Sequence, residues 1–195
     1  MLYQPSSLSS LIESINSPEL RLVRLKQAEE ISKNINEEID LLVEKIKTNS
    51  FDSAYEQLLV IENLRSILTP IINDIRNYVQ EIIDATKILL EYFTNIKNLD
   101  YVAKIIEIQT RLMEIIESLV SCSKILENIT RYYKLTNEDN LDREKNMKKI
   151  NNPTISNILL IIKQSLENTF KDQKIKKEVE SIWKELNEIK QILAY

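Results

Sequence analysis

The chain contains no glycine and no histidine, a single cysteine and only four prolines. Each shortage removes a class of chemistry. Without glycine there is no glycine-rich phosphate loop, no dinucleotide-binding turn and no nucleophile elbow as these are ordinarily built, because each needs a backbone that a Cβ would obstruct. Without histidine the commonest general acid/base and the commonest transition-metal ligand are missing, and with them the Ser-His-Asp and Cys-His arrangements. The lone cysteine, Cys122, excludes an intrachain disulfide and a four-cysteine zinc site, and is compatible with a reducing compartment. The longest purely apolar run, Ile158 to Ile162, is far short of the roughly 20 residues of a membrane span. The segment Met1-Leu2-Tyr3-Gln4-Pro5-Ser6-Ser7 lacks the basic-then-apolar order of a secretory leader. These shortages together give the expectation of an intracellular, cytoplasmic protein, soluble or peripheral to a membrane, with no cofactor and no enzymatic activity.

Charge is also short of a strong surplus. The net charge is −4, from 26 Lys+Arg against 30 Asp+Glu. Residues 1–140 hold 15 cations and 22 anions, and residues 141–195 hold 11 and 8, so the C-terminal part is mildly basic. A nucleic-acid partner ordinarily demands a larger basic excess and is not expected. What the chain does have is apolar material: 43% of its 195 residues are hydrophobic and 29% charged, enough to bury a core.

The apolar residues recur at helical spacing. A first long segment, Pro18 to about Lys47, opens on Ser17 as N-cap and places Leu25, Ala28, Ile35, Ile39, Leu42 and Ile46 on one stripe. A second runs from about Ser53 to Phe93. Its rows Ile61, Leu68, Ile75, Ile82, Leu89 and Leu64, Ile71, Tyr78, Ala85, Tyr92 repeat every seven residues, and the tyrosine hydroxyls require a polar partner. The rows keep phase across Pro70, which is therefore not read as a domain boundary but as a kink or a local break. A third segment, from about Tyr101 to Tyr133 with Asp100 as N-cap, repeats the pattern in Ile105, Leu112, Leu119, Leu126, Tyr133 and in Tyr101, Ile108, Ile115, Cys122, Ile129. Cys122 thus reads as a small core residue rather than a reactive thiol. The sequence from Phe51 is echoed from Leu99, as a helical-hairpin repeat would require.

These segments predict an all-α fold, an elongated antiparallel helical bundle with long coiled-coil-like helices over residues 1–135. A polar loop follows over 136–153, with a short helix around Leu141 to Ile150. A C-terminal helical hairpin over 154–195 packs on or extends the bundle. Its last helix aligns Ile175, Val179, Ile182, Leu186, Ile189 and Leu193. A short helix around Ser7 to Ile15 precedes the first long segment. With glycine absent, Asn49, Asn95, Asn98, Asn137 and Asn151 are the expected residues to tolerate a left-handed backbone at helix ends.

Several constellations invite a functional reading. Glu114/Glu117 and Glu185/Glu188 are paired at one-turn spacing, as a divalent-metal nucleotide hydrolase would need, and Glu37-Glu38 begins such a motif but Leu41 occupies the place of its third acid. A solvated face is the favoured reading of all of them. Lys171, Lys174, Lys176 and Lys177, like Lys145, Lys148 and Lys149, are candidate contacts for anionic phosphates or lipid, interrupted by acids that suggest a solvated charged face instead. Trp183, Tyr132 and Tyr133 are the candidate interface residues, with core packing as the alternative. Glu107/Arg111 and Lys184/Glu188 have the spacing of intrahelical ion pairs.

The stretches Phe51-Asp52-Ser53-Ala54 to Leu68 and Leu99 to Leu119 resemble the helical rods of multisubunit vesicle-tethering complexes, which implies a long apolar seam and no catalytic site. Asp52-Ser53-Ala54 followed by Arg65 is similar to the hairpin of ESCRT-III-like filament proteins, from which Pro70 and the lack of a basic first helix depart. The expected function is that of a non-enzymatic protein-interaction or scaffold subunit, offering an apolar helical seam to a helical partner or to a copy of itself. A peripheral membrane-associated tethering or filament-forming role is the alternative, and a metal-dependent nucleotide hydrolase the third.

Overall fold

Seven-residue repeats of apolar side chains fold as helices that lay those rows against one another, and no strand occurs among the described residues. A computed structural model describes residues 4–137, 143–151 and 153–193. Among the described residues eight α-helices succeed each other: α1 Pro5–Glu13, α2 Pro18–Arg21, α3 Leu25–Lys47, α4 Phe51–Asn95, α5 Leu99–Asn137, α6 Arg143–Ile150, α7 Pro153–Phe170 and α8 Lys174–Leu193. A 3₁₀ turn, Lys171–Gln173, precedes α8. The fold is an all-α helical bundle. The predicted rows of α4 and α5 are buried, except that Leu64, Tyr92, Tyr101 and Tyr133 are half-buried; none points into solvent.

Two compact units share this set of helices. The first comprises Met1–Leu25, Asn73–Ser118 and Gln173–Tyr195, so it uses α1, α2, the later part of α4, the start of α5 and α8. In it α1 and α2 pack on α8, and Phe93 of α4 stacks on Tyr101 of α5 with ring centroids 5.0 Å apart. Tyr78, fully buried, donates its hydroxyl to the carbonyl of Asn16 at 2.7 Å. Arg21 lies over the Tyr78 ring at 4.9 Å and reaches both carboxylate oxygens of Glu81. Tyr78 and Arg21 thereby tie the N-terminal segment to α4, and the hydroxyl that the seam had to satisfy meets a backbone carbonyl.

The second unit comprises Lys26–Ile72 and Leu119–Asp172. It is built from α3, the first part of α4, the later part of α5, and α6 and α7. As α4 advances from Tyr55 to Glu62, its partners on α5 fall back from Asn137 to Thr130, which makes the pair antiparallel. Lys163 of α7 donates to both oxygens of Asp40 on α3 at 2.9 Å. Cys122 is fully buried, with Ser165 and Thr169 of α7 as hydrogen-bond partners.

The segment expected as one helix from Pro18 to Lys47 is instead split into α2 and α3. Leu22 leaves helical geometry, its N–H returning to the carbonyl of Pro18 as its side chain enters the core. α4 runs unbroken through Pro70. The ring sits on an exposed position, so the carbonyl freed by the missing N–H can meet water, and Thr69 turns its hydroxyl back to the carbonyl of Arg65. The two packing units nevertheless change over just beyond it, between Ile72 and Asn73. α5 continues past Tyr133 to Asn137, and within the polar stretch the short helix expected around Leu141 to Ile150 forms as α6; residues 138–142 and 152 lie outside the described residues. α7 belongs to the second unit and α8 to the first.

Left-handed backbone is taken by Asn49, as expected, but then by Lys97, Asp172 and Gln173 and not by Asn95, Asn98, Asn137 or Asn151. Asn98 has another task. Its side-chain oxygen accepts from the N–H of Tyr101, so Asn98, not Asp100, caps α5. That leaves Lys97 to close the turn at φ 56°, a conformation a Cβ disfavours by about 1–2 kcal/mol. Lys97→Gly is therefore expected to stabilise the protein by about 1 kcal/mol in urea titration, and Lys97→Val to destabilise it by a similar amount. Equal midpoints for the three proteins would contradict this account of the turn.

Candidate interaction surfaces

α5 is apolar round most of its circumference, and one helix face can be used only once. The rows through Ile105 and Ile108 are buried. A second row, Leu99, Val102, Ile106, Gln109, Met113 and Ile116, repeats at three/four spacing on a different side of the helix. Within it Leu99, Ile106 and Met113 are 75%, 47% and 44% exposed, while Val102, Gln109 and Ile116 are half-buried. Single exposed apolar residues are ordinary, but three at successive heptad positions form a continuous stripe. All of it lies within the first unit. The signal was legible as a second heptad set in the sequence, but it was hidden by the stronger rows beside it.

The charges around this stripe are sorted by side. Arg111 is held by α8: its guanidinium donates to Glu178, Glu185 and the hydroxyl of Ser181. Lys104 approaches Glu188 at 3.5 Å. Its hydrogen bonds to the carboxylates of Glu178 and Glu185 hold the Arg111 guanidinium above its ordinary value, against the opposing effect of burial. The expected intrahelical pairs Glu107/Arg111 and Lys184/Glu188 do not form, because cross-helix partners capture Arg111 and Glu188. The same contacts occupy Glu185 and Glu188, two of the four carboxylates considered for a metal. No group of three or more metal-ligating side chains occurs among the described residues.

The other sequence-picked residues fall in different places. Tyr132 is buried, and its hydroxyl has no hydrogen-bond partner. Tyr133 is half-buried and stacks on Tyr55 at 6.3 Å. Trp183 is half-buried on α8, in the other unit from the two tyrosines. Lys174 and Lys177 are exposed and Lys176 half-exposed, 3.9 Å from Glu180. The first turn of α8 contains these lysines and no acid, so they add to the positive end of the helix dipole. Lys171 is exposed too, and belongs to the other unit. Of the second basic cluster, Lys148 pairs with Glu144 at 3.2 Å and lies over the Phe51 ring.

An open cleft of about 720 Å³ lies between α3 and α7, over Leu166 and Phe170 and bordered by Asp40 and Lys163. Asn36 on its wall donates to the carbonyl of Lys163, and its buried Oδ1 has no partner. Asp40 raises Lys163 above the ordinary lysine value through their hydrogen bond. The cleft's charged groups are acids and lysines in mixture. No helix of the described residues is long and apolar enough to cross a membrane.

Burial pushes the Cys122 thiol up to about 11 from an ordinary value near 9, and the Tyr78 hydroxyl up to about 12 from near 10. Both folded values are raised, so each group's contribution is complete below its unfolded value and lost as pH climbs through the folded one. Stability is expected to fall between about pH 9 and 12 by on the order of 2 kcal/mol per group. Cys122→Ala should flatten the part of that fall between pH 9 and 11 in urea titrations, whatever its constant packing cost. The native thiol should also resist a thiol reagent at pH 8 until the chain is unfolded; rapid native labelling would refute its burial.

Compared with protein-family models, with curated proteins and with solved structures, the chain gives no match.

Proposed function

We propose that the chain is a helical protein-interaction or scaffold subunit whose docking element is the outer face of α5. The observation that supports this reading is the solvent-exposed heptad row Leu99, Ile106 and Met113 on a helix whose other rows are already consumed by the core. A two-seam helix can hold its own bundle together with one face and accept a further helix on the other. Leaving such a row in water forgoes roughly 25 cal/mol for every Å² of apolar surface that a partner would cover.

Photo-cross-linking tests this. A photoreactive phenylalanine at Ile106 or Met113, in cells that make the protein, is expected to give the same discrete, saturable protein adduct. The same group at Asn77, exposed on α4, should not. Indistinguishable adduct patterns at the three positions would overturn the assignment of the face.

A contact with an anionic membrane is the second reading, and it rests on Lys174, Lys176 and Lys177 clustered without an acid in the first turn of α8. Co-sedimentation with phosphatidylcholine vesicles containing phosphatidylserine is expected to be lost at high salt and in the Lys174→Glu/Lys177→Glu variant. Absence of pelleting, or pelleting indifferent to both changes, would eliminate it.

A further inference from the structure

The surroundings of the α5 stripe bear on the chemistry of what covers it. Asp100, Glu107 and Glu114 each follow a stripe residue directly in sequence and repeat with the same seven-residue period, and Glu117 lies one turn beyond Met113. All four are exposed. None of their side-chain carboxylates has an ion pair or hydrogen bond to another described residue. The two cations in this stretch of α5, Lys104 and Arg111, are both engaged by α8, so nothing on the helix neutralises the acidic row. Successive carboxylates in the row stand roughly 10 Å apart along the axis, about one screening length at physiological salt. Only Asp100, in the first turn, is favourably placed for the helix dipole. Glu114 and Glu117, one turn apart, repel each other. An apolar stripe bordered by uncompensated carboxylates complements a helix with an apolar face and cationic flanks.

We propose that this face docks a cationic amphipathic helix of a different protein. Its apolar side covers Leu99, Ile106 and Met113, and its lysines or arginines face Asp100, Glu107, Glu114 and Glu117. The proposal rests on the reading of α5 as the docking element and adds the partner's charge. A second copy of the same face fits poorly. Antiparallel packing would oppose carboxylates to carboxylates, and parallel packing would set them against the Val102, Gln109 and Ile116 row, which cannot neutralise them. An anionic lipid surface meets the same repulsion.

Two synthetic helices of about three heptads, with leucine at the seam positions and either lysine or glutamate on the flanks, distinguish these cases when titrated against the full chain by fluorescence anisotropy. The lysine peptide is expected to bind at least tenfold more tightly than the glutamate peptide, with an affinity that falls as salt is raised. Glu107→Lys/Glu114→Lys should invert the preference, while Glu91→Lys, on the exposed surface of α4, should leave it unchanged. Ile106→Ser/Met113→Ser should abolish binding of both peptides without altering the melting curve. Equal binding of both peptides, lost in the serine variant, would overturn the charge assignment and leave the docking stripe standing. Binding of the lysine peptide unaffected by the serine variant would overturn both. Sedimentation of the chain alone as a dimer that the serine variant dissociates would name a second copy as the occupant and overturn the proposal.

Discussion

Removal of the heptad rows of α4 and α5 from water is the interaction on which the rest of the structure depends. The rows alternate large aliphatic residues with Tyr78, Ala85, Tyr101 and Cys122, and the exceptions show how the constraint is met. Tyr78 is fully buried because its hydroxyl finds the carbonyl of Asn16. Cys122 is fully buried because a thiol of its size needs little, and Ser165 and Thr169 meet what it needs. Tyr92, Tyr101 and Tyr133, at or near the ends of the rows, stay half-buried, with rings packed on other rings and hydroxyls able to reach water.

A chain without glycine has to end its helices by less tolerant means. Among the described residues four non-glycine residues accept left-handed geometry, two of them consecutive at Asp172-Gln173. That strain is concentrated in the turns after α3, after α4 and before α8, where exposed residues impose no packing cost of their own. The neighbouring asparagine at the α4–α5 turn is more useful as a cap than as a left-handed residue, which moves the strain onto Lys97. Residue preference was overridden there by the local hydrogen-bond demand of the next helix.

Ion pairs follow the same logic of competition. Arg111 has an acid four residues before it on its own helix, yet it binds Glu178 and Glu185 of α8. An intrahelical pair on the surface is worth a few tenths of a kcal/mol. Two carboxylates and a hydroxyl converging on one guanidinium at a half-buried position provide a shielded and better-satisfied alternative. Glu107 is left uncompensated as a result, and with Glu114 it gives the outer face of α5 its sign. The charge of the candidate surface is thus a by-product of how α8 docks onto α5 within the first unit.

Helix class, the identity of the core rows and the burial of Cys122 were settled by the sequence itself, because a seven-residue period has only one way to be desolvated. The second stripe on α5 was present in the same string. Nothing in it, however, distinguished a row that covers a neighbour from a row that covers nothing. Exposure is a property of which helices arrive, and only the tertiary structure decided that. The same holds for the break between α2 and α3, for Lys97 in place of an asparagine, and for the partners of Arg111. In each case two locally acceptable choices differ by about 1 kcal/mol or less, a margin that long-range packing readily outweighs.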